Sequence, residues 1–360
     1  MRTTLRLYFL KRFLVSFGST LVPVFALAFL IDIIEIGRRG RYDDIPFSSV
    51  VAISALRVPA FIEQAFPFII LFASLFALVS LNRRLELVVA RAAGVSIWQI
   101  MTPFLIGSLG LGIVAVTLYN PIASMAQGRS EQLETLLAGE SGDSGAGDRP
   151  SWLRQTSGST DSIIGAKSIA DGGQNLAGVT AILLDADGSV RERIDAPRAT
   201  LIDGNWLIDQ PTVTRVGYPP DRLASYMLPT SLLPEYIEER IADPQAISVW
   251  ELPPKIEAAR SLGYNASAFS MRFHTLIAMP ALFVVMTLVA ATVAVRYSRV
   301  GQSVPTIVGG IGAGFVLYVV SFLAQTLGAN AVVPAVLAAW FPVVAAGLFG
   351  TTILLHQEDG

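Results

Sequence analysis

Residues 82–99, NRRLELVVARAAGVSIWQ, lie between two apolar runs that are each long enough to cross a membrane. The stretch has too many charges to lie in lipid and too few residues to form a domain. As a helix, it would place apolar residues at three-and-four spacing on one side and charged residues elsewhere. The apolar side would carry Leu85, Val88, Val89 and Ala92, and the charged positions are Arg84, Glu86 and Arg91. This pattern is typical of a helix on a membrane surface, which is either a passive connector or the point where a soluble protein binds; we favour the second.

The composition is that of an integral membrane protein. Hydrophobic residues make up 52% of the 360 residues, charged residues make up only 15%, and the mean hydropathy is +0.56. These values lie well outside the usage of soluble proteins. The sequence contains no cysteine, which excludes a disulfide framework, a thiol nucleophile and a thiolate metal site.

Six apolar runs are predicted to cross the membrane, three before and three after a polar middle region. They lie at about residues 13–31, 65–81, 100–118, 275–295, 304–327 and 332–355. The short loops predicted to face the cytoplasm are basic, with Arg83, Arg84, Arg91, Arg296 and Arg299. This charge bias predicts that both termini are cytoplasmic and that the middle region lies outside the cytoplasm. The first run is too long for a signal peptide and is not followed by a cleavage site, so we expect it to remain as a helix.

The middle region changes from a helical period to a period of two. Short strands are predicted at residues 179–184, 190–194, 199–202, 206–208 and 212–216, with turns at residues 185–188 and 203–205. Helices are expected at residues 125–138 and 248–263, and a flexible linker at residues 139–151. We therefore predict an α-helical membrane protein with six transmembrane helices, three and three, and an inserted antiparallel β jelly-roll domain. The predicted parts are residues 1–121, 122–272 and 273–360.

No convincing catalytic or metal site is present in the sequence. Residues 165–168, GAKS, resemble the end of a phosphate-binding loop, but the spaced upstream glycine and the Gly-Lys pair are missing. The two histidines, His274 and His356, lie at opposite ends of the C-terminal half and have no metal-ligand spacing. We predict that the chain has no catalytic residue, no metal and no cofactor of its own.

Three arginines, Arg38, Arg39 and Arg41, follow the first span on the side where the positive-inside trend disfavours them. Two explanations remain open. Nearby carboxylates neutralise them locally, or they contact an anionic substrate such as a phosphorylated lipid headgroup. The carboxylates are Asp32, Glu35, Asp43 and Asp44.

Glu86 is a carboxylate among arginines in the segment 82–99. It is explained either by a local ion pair or by a charge-assisted contact with a basic residue of a soluble partner. In the second case the small residues Ala92, Ala93 and Gly94 would let that partner approach closely.

The fifth apolar run contains the sequence GGIGAG. Its small residues, Gly309, Gly310, Gly312 and Gly314, predict close packing against another helix of this chain or of a partner. In a transporter, such a face could form an interface that opens laterally.

Several of these stretches together resemble one known family, the lipopolysaccharide export permeases LptF/LptG, also called YjgP/YjgQ. They are FPFIILFASLFALVSLNRRLELVVARAAGVS (66–96), RYSRVGQSVP (296–305), GGIGAGFVLYVV (309–320) and AVVPAVLAAWFPVVAAGLF (331–349). The resemblance covers nearly the whole chain in the order three helices, β domain, three helices. The C-terminal half is more similar to LptG than to LptF.

The resemblance implies the permease half of an ABC transporter in the bacterial inner membrane, which extracts lipopolysaccharide and passes it to a periplasmic bridge toward the outer membrane. Its implied partners are a homologous LptF-like permease, a cytoplasmic LptB-like ATPase dimer that uses ATP and Mg, and LptA/LptC-like bridge and single-span proteins; no nucleic acid is implied. Residues 82–99 would be the coupling helix, and helices one and five the lateral gates. Carried over by position, Arg84, Glu86, Arg91, Ala93 and Gly94 would lie at the ATPase, and Arg38, Arg39 and Arg41 at the lipid phosphates.

Three other classes are weighed against this interpretation. An exporter-like permease with four spans conflicts with six spans divided three and three. A secondary transporter driven by an ion gradient would require ionisable residues in the middle of the membrane. The apolar runs of this sequence are almost free of charged residues, which argues against this class. The remaining alternative is a membrane-anchored β domain that binds a ligand and has no transport activity.

Overall fold

The computed structural model describes residues 3–38, 46–140, 151–157, 160–170, 174–185, 189–202, 204–215, 217–230, 244–261, 266–294 and 304–359. The chain divides into two compact units. The helical unit comprises Met1–Ile36, Val50–Ser130 and Pro244–Gly360, and the β unit comprises Gly37–Ser49 and Glu131–Asp243. The expected linker falls mostly on residues 141–150, and the basic loop 296–302 also lies outside the described residues.

The described helices confirm the six predicted spans. In chain order they are α1 (Thr3–Arg38), α2 (Phe47–Arg83), α3 (Glu86–Ala92), α4 (Ile97–Val114), α5 (Asn120–Glu140), α6 (Leu252–Ser261), α7 (Ser267–Ala294), α8 (Val304–Ala329) and α9 (Ala335–Asp359). A π-helical turn, Ala115–Tyr119, joins α4 to α5. Among the described residues, six helices are long and apolar enough to cross a membrane: α1, α2, α4 continued into α5, α7, α8 and α9. Most extend beyond the predicted runs because their polar ends remain helical.

The spanning helices differ in how much of their apolar surface is covered. In the most apolar 18-residue window, 67% of the α2 residues and 56% of the α7 residues are buried, but none of the α1 residues are. Glycines allow α4 to pack closely against its neighbours. A Cβ on Gly112 would lie 2.5 Å from the Cα atom of Pro280 in α7, and one on Gly107 would lie 2.9 Å from a ring carbon of Phe13 in α1. The centre of the unit is therefore α2 and α7, while α1 presents apolar surface to lipid or to another chain.

The described residues of the β unit form an eight-stranded antiparallel sheet, as the period-two pattern predicts. Its strands are β1 (Ser151–Ser157), β2 (Thr160–Ala170), β3 (Asn175–Leu184), β4 (Val190–Ile202), β5 (Asn205–Asp209), β6 (Thr212–Arg215), β7 (Asp221–Arg222) and β8 (Ser225–Pro229). The order is β1-β2-β3-β4-β5-β8, and β6 pairs with β4 and β7. The strands predicted at 190–194 and 199–202 are one strand, β4. Its ladder to β3 omits Pro197, which has no N–H to donate, and Gly178, whose φ is 62°.

The described core of the sheet is mainly apolar, but it includes the small polar residue Ser162 and one carboxylate. Trp206, Ile194 and Ile208 are buried on alternate positions of β4 and β5. Glu192 is also buried, at 5% exposure. It accepts hydrogen bonds from Arg215 Nε at 3.0 Å and from the hydroxyl of Tyr226 at 3.2 Å. These bonds satisfy a charge that would otherwise be costly to bury.

We expect Tyr226 to set an alkaline limit to the stability of the β unit. Burial raises the pKa of the Tyr226 phenol above its ordinary value of 10.0, and the adjacent Glu192 carboxylate raises it further. A folded-state pKa above the unfolded value gives stability that is complete below pH 10.0 and is lost as the pH rises through the folded-state pKa. Limited proteolysis of the β unit should therefore accelerate less steeply at alkaline pH in Tyr226→Phe than in the wild type. Equal alkaline slopes would contradict this assignment.

Candidate functional site

The predicted coupling segment, residues 82–99, is divided in the structure into three pieces. Residues 82–83 end α2, residues 86–92 form α3, and residues 97–99 begin α4. Leu85, at φ 61°, and Gly94, at φ 83°, adopt the left-handed conformation and interrupt the helix on either side of α3. Ser96 caps α4 by accepting a hydrogen bond from the backbone N–H of Gln99 at 3.2 Å. The single long helix expected here is therefore a seven-residue helix held between two turns.

The apolar side of α3 that we predicted is not its buried side. Leu87 and Ala90 are buried, whereas Leu85 is 61% exposed and Val89 is 66% exposed. The left-handed turn at Leu85 rotates α3 relative to α2, and the sequence pattern contains no sign of this rotation. We call the exposed apolar residues of this segment the docking patch. The docking patch comprises Leu85, Val89, Ala92 and Ala93.

A cavity of about 380 Å³ lies beside the docking patch, between α3 and the start of α4. Its lining residues are Asn82, Leu87, Val88, Arg91, Ala92, Ile97, Ile100 and Met101. Ala92 belongs to both features, so the exposed patch and the cavity form one continuous surface. Exposed apolar side chains beside a cavity are typical of a protein-binding surface.

Glu86 begins α3 and is partly buried. In the described part of the chain no Lys, Arg or His nitrogen lies within 4.0 Å of its carboxylate, so no local salt bridge forms there. Its charge acts at longer range on Arg12 of α1. The neighbouring Arg84 and Arg91 are exposed, as are Ala93 and Gly94. With Arg83, which is also exposed, the segment presents one carboxylate and three guanidinium groups beside apolar surface.

Three polar contacts join α2 to α7 along the length of the two helices. At the end next to α3, the side-chain amide of Asn82 donates to the carbonyl of Ala294 at 3.2 Å. In the middle, the hydroxyl oxygens of Ser74 and Thr287 lie 3.1 Å apart. At the far end, Arg272 of α7 donates to the carboxylate of Glu63 in α2. We call these three contacts the α2–α7 links.

The third link belongs to a buried cluster. Glu63 is 2% exposed and Asn120 is fully buried. The side-chain amide of Asn120 donates to Glu63 Oε2 at 3.0 Å, and its oxygen accepts from the backbone N–H of Val249 at 2.8 Å. Arg272 lies 22 residues before the last residue of α7, or about 33 Å along the helix. The cluster therefore lies at the membrane boundary opposite α3.

Sequence reasoning missed Glu63 and Arg272 because it placed the start of each apolar run just past them, at residues 65 and 275. In the structure both residues lie inside long helices. The available signal was a single acid and a single arginine at equivalent ends of two spans, which is the arrangement of a pair that closes across two helices.

The arginines predicted to contact substrate are only partly described. Arg38 is the last residue of α1 and is exposed, and Arg39 and Arg41 lie outside the described residues. Asp32, one of the carboxylates considered as their neutralising partner, lies 3.6 Å from Arg57 of α2 and is 3% exposed. The pair ties α1 to α2.

The four glycines of α8 divide into two pairs. Gly310 and Gly314 face this chain: a Cβ on Gly310 would lie 2.6 Å from Val293, and one on Gly314 would collide with Leu71 of α2. A Cβ on Gly309 or Gly312 would meet no described atom within 4 Å. Two glycines therefore permit packing within the helical unit, and two leave a smooth exposed stripe on α8.

We expect removal of the Glu63 charge to destabilise the helical unit. Glu63→Gln leaves Arg272 as an unpaired charge in a largely buried position, and breaking such a pair costs about 3 kcal/mol. The double variant Glu63→Gln/Arg272→Gln should recover most of this loss, because neither partner then carries an unpaired charge. Chemical denaturation in detergent measures the free energy of unfolding of the single and the double variant.

The control is Gln64→Ala, which removes the exposed hydrogen bond from Gln64 to Gln245 and should change stability little. A loss in Glu63→Gln no larger than in this control would show that the cluster contributes nothing specific.

The similarity to a known family covers both the helical unit and the β unit. The family model described as "Lipopolysaccharide export system permease LptF/LptG" matches residues 7–356. No curated protein matches the chain. The matched range contains all six spans, the β sheet and the docking patch.

Proposed function

This chain belongs to the lipopolysaccharide export permease family LptF/LptG, and from that membership we propose that it is the membrane subunit of an ATP-driven lipopolysaccharide exporter. In this role it extracts lipopolysaccharide from the inner membrane and passes it to a periplasmic bridge toward the outer membrane. We propose the LptG type from the resemblance of the C-terminal half. The single observation that carries the proposed coupling to an ATPase is the short helix α3, whose docking patch is exposed between two spans.

The proposed partner at the docking patch is a cytoplasmic ATPase dimer of the LptB type, which hydrolyses ATP with Mg. Leu85 and Val89 would enter an apolar groove of that partner. Glu86 would accept a charge-assisted hydrogen bond from a basic side chain. Because Ala93 and Gly94 are small, the backbone of the partner could approach closely. Arg84 and Arg91 would contact carboxylates of the partner.

A partner can displace this chain only if it binds two conformations with different affinities. Displacement of α3 would act first on α2, because only two residues separate the two helices. The α2–α7 links favour movement of α2 together with α7. The close approach of Gly112 to Pro280 adds α4 to the same moving body.

The lipid path is proposed to lie along α1 and α8. The apolar window of α1 is unburied in this chain, and the stripe at Gly309 and Gly312 is open. A homologous LptF-like permease would cover these surfaces and form the lateral gates with them. Arg38, Arg39 and Arg41 would supply positive charge for the phosphates of lipopolysaccharide at the entrance.

The proposed orientation places α3 and both termini in the cytoplasm and the β unit in the periplasm. Its support is the excess of Arg and Lys at the N-terminus and around residues 83–91 and 296–299. The β unit would then pass the lipid to LptA/LptC-like partners. The competing interpretation, a membrane-anchored β domain that binds a ligand without transport, predicts that no ATPase associates with α3.

Glu86→Ala tests the proposal. Loss of one charge-assisted hydrogen bond should weaken binding of the ATPase about tenfold or more, while the protein remains inserted. Co-purification of an ATPase and ATP-driven release of lipopolysaccharide from proteoliposomes should fall together.

The matched control is Glu257→Ala, which removes an exposed carboxylate from α6, far along the chain from α3. Wild-type ATPase capture and wild-type release in Glu86→Ala would exclude Glu86 as the coupling contact. If the wild-type chain captures no ATPase, the anchored β-domain alternative is correct.

A further inference from the structure

A second cavity lies at the opposite end of the helical unit from α3. It has a volume of about 480 Å³ and lies between α6, the first turns of α7 and the turn that joins α8 to α9. One wall is polar and the other is apolar. The polar wall contains Arg260, Ser267, Ser270 and His274, and the apolar wall includes Val333 and Val336.

The frame of this cavity is firmly packed. The hydroxyl of Ser267 donates to the carbonyl of Ala329 at 2.6 Å and joins the start of α7 to the end of α8. A Cβ on Gly328 would collide with Met271 and would lie 2.9 Å from the Cβ of Ala338. The three spanning helices α7, α8 and α9 therefore pack closely at Gly328.

The cavity lies at the level of the lipid headgroups. Ser270 is 24 residues before the last residue of α7, or about 36 Å along the helix, which exceeds the hydrocarbon thickness of about 30 Å. The turn between α8 and α9 reaches the same level. An amphipathic cavity at this depth has its polar wall where lipid phosphates lie and its apolar wall beside the first acyl carbons.

The polar wall carries a positive charge. Arg260 Nη2 donates to the hydroxyl oxygen of Ser270 at 3.3 Å, which leaves other guanidinium N–H groups and the Ser270 hydroxyl proton available. His274 adds a further nitrogen. Among the described residues no carboxylate lies within 4.0 Å of Arg260, although Glu257 is only one turn earlier on α6. An arginine that lines a cavity without a carboxylate partner favours an anionic ligand.

We propose that this cavity binds the phosphate of an anionic membrane lipid. Arg260 and Ser270 hold the phosphate oxygens, with His274 beside them. The glycerol and the first acyl carbons contact the apolar wall at Val333 and Val336. Two lipids carry this chemistry, a glycerophospholipid such as phosphatidylglycerol and lipopolysaccharide itself. The site is separate from the arginines that follow α1. It does not depend on the transport role proposed above, because that role determines only which leaflet of the membrane supplies the lipid.

The proposal is tested by measuring lipid binding to the full chain, together with any subunits that purify with the chain. The protein is placed in phosphatidylcholine nanodiscs with and without phosphatidylglycerol, and bound lipid is measured by native mass spectrometry. Phosphatidylglycerol should be retained over phosphatidylcholine. Arg260→Ala should weaken its retention about tenfold, the effect of one charge-assisted contact. Arg260→Lys should keep most of the binding because it keeps the charge.

The matched control is Lys255→Ala, which removes an equal charge from α6 without touching the cavity. Equal losses in Arg260→Ala and Lys255→Ala would overturn the proposal, because the preference would then be general surface electrostatics. Equal retention of phosphatidylglycerol and phosphatidylcholine by the wild type would also overturn it.

Competition experiments, in which a second compound displaces bound phosphatidylglycerol, identify the ligand. Displacement of phosphatidylglycerol by lipopolysaccharide, lost in Arg260→Ala, supports the site and identifies the exported lipid as the ligand. If lipopolysaccharide does not displace it, the proposal is supported with a glycerophospholipid as the ligand. Displacement by equimolar inorganic phosphate would overturn the lipid assignment, since the apolar wall would contribute no affinity.

Discussion

The helical unit depends on a buried ion pair between two spans. Glu63 and Arg272 lie in α2 and α7, at 2% and 17% side-chain exposure. Among the described residues, Arg272 Nε is buried without a hydrogen-bond partner, so the pair relies on the contact between the two charges and on a second partner for the carboxylate. Asn120 supplies that second partner and extends the cluster to the backbone of Val249. Through this one cluster, α2, α7, the start of α5 and the segment before α6 are fixed at one level of the membrane.

The pair also explains how the burial of the spans is distributed. The two helices that it joins have the most covered apolar windows, whereas α1 has none of its window covered and α8 only 22%. In lipid there is no hydrophobic force to cover an apolar helix, so small residues and polar contacts decide which helices associate. The α2–α7 links and Gly112 provide these contacts in the centre. The surfaces of α1 and α8 remain for lipid, for substrate or for a second permease.

Much of the fold could be predicted from the sequence because its signals are local. A run of apolar residues specifies a span by its length alone, and the turn at Gly204, with φ 72°, was visible as a hairpin between alternating segments. The orientation of α3 was not predictable, because it follows from the left-handed conformation of Leu85, a residue type that rarely adopts it. The partition of the glycines in α8 was also hidden, since it depends on which neighbours, Val293 and Leu71, lie opposite them.

The candidate site was predicted unevenly for a related reason. Residues 82–99 were proposed as a site because charge between two spans is unusual in a sequence. Glu63 and Arg272 were overlooked because a charge beside an apolar run resembles a boundary. The cavity at Arg260 combines three separate stretches of chain, and no linear pattern indicates that they meet.

We expect α2 and α7 to move as one body when an ATPase acts on α3. The absence of cysteine allows spin labels to be placed at the exposed positions Phe61, Ile277 and Ile34 as cysteine pairs. Electron–electron distances are then measured with and without a non-hydrolysable ATP analogue in the assembled complex. We predict that the distance from 61 in α2 to 277 in α7 stays constant while the distance from 34 in α1 to 277 changes, which requires the 3.6 Å pair of Asp32 and Arg57 between α1 and α2 to open. A nucleotide-dependent change between α2 and α7, with α1 fixed relative to α7, would contradict it.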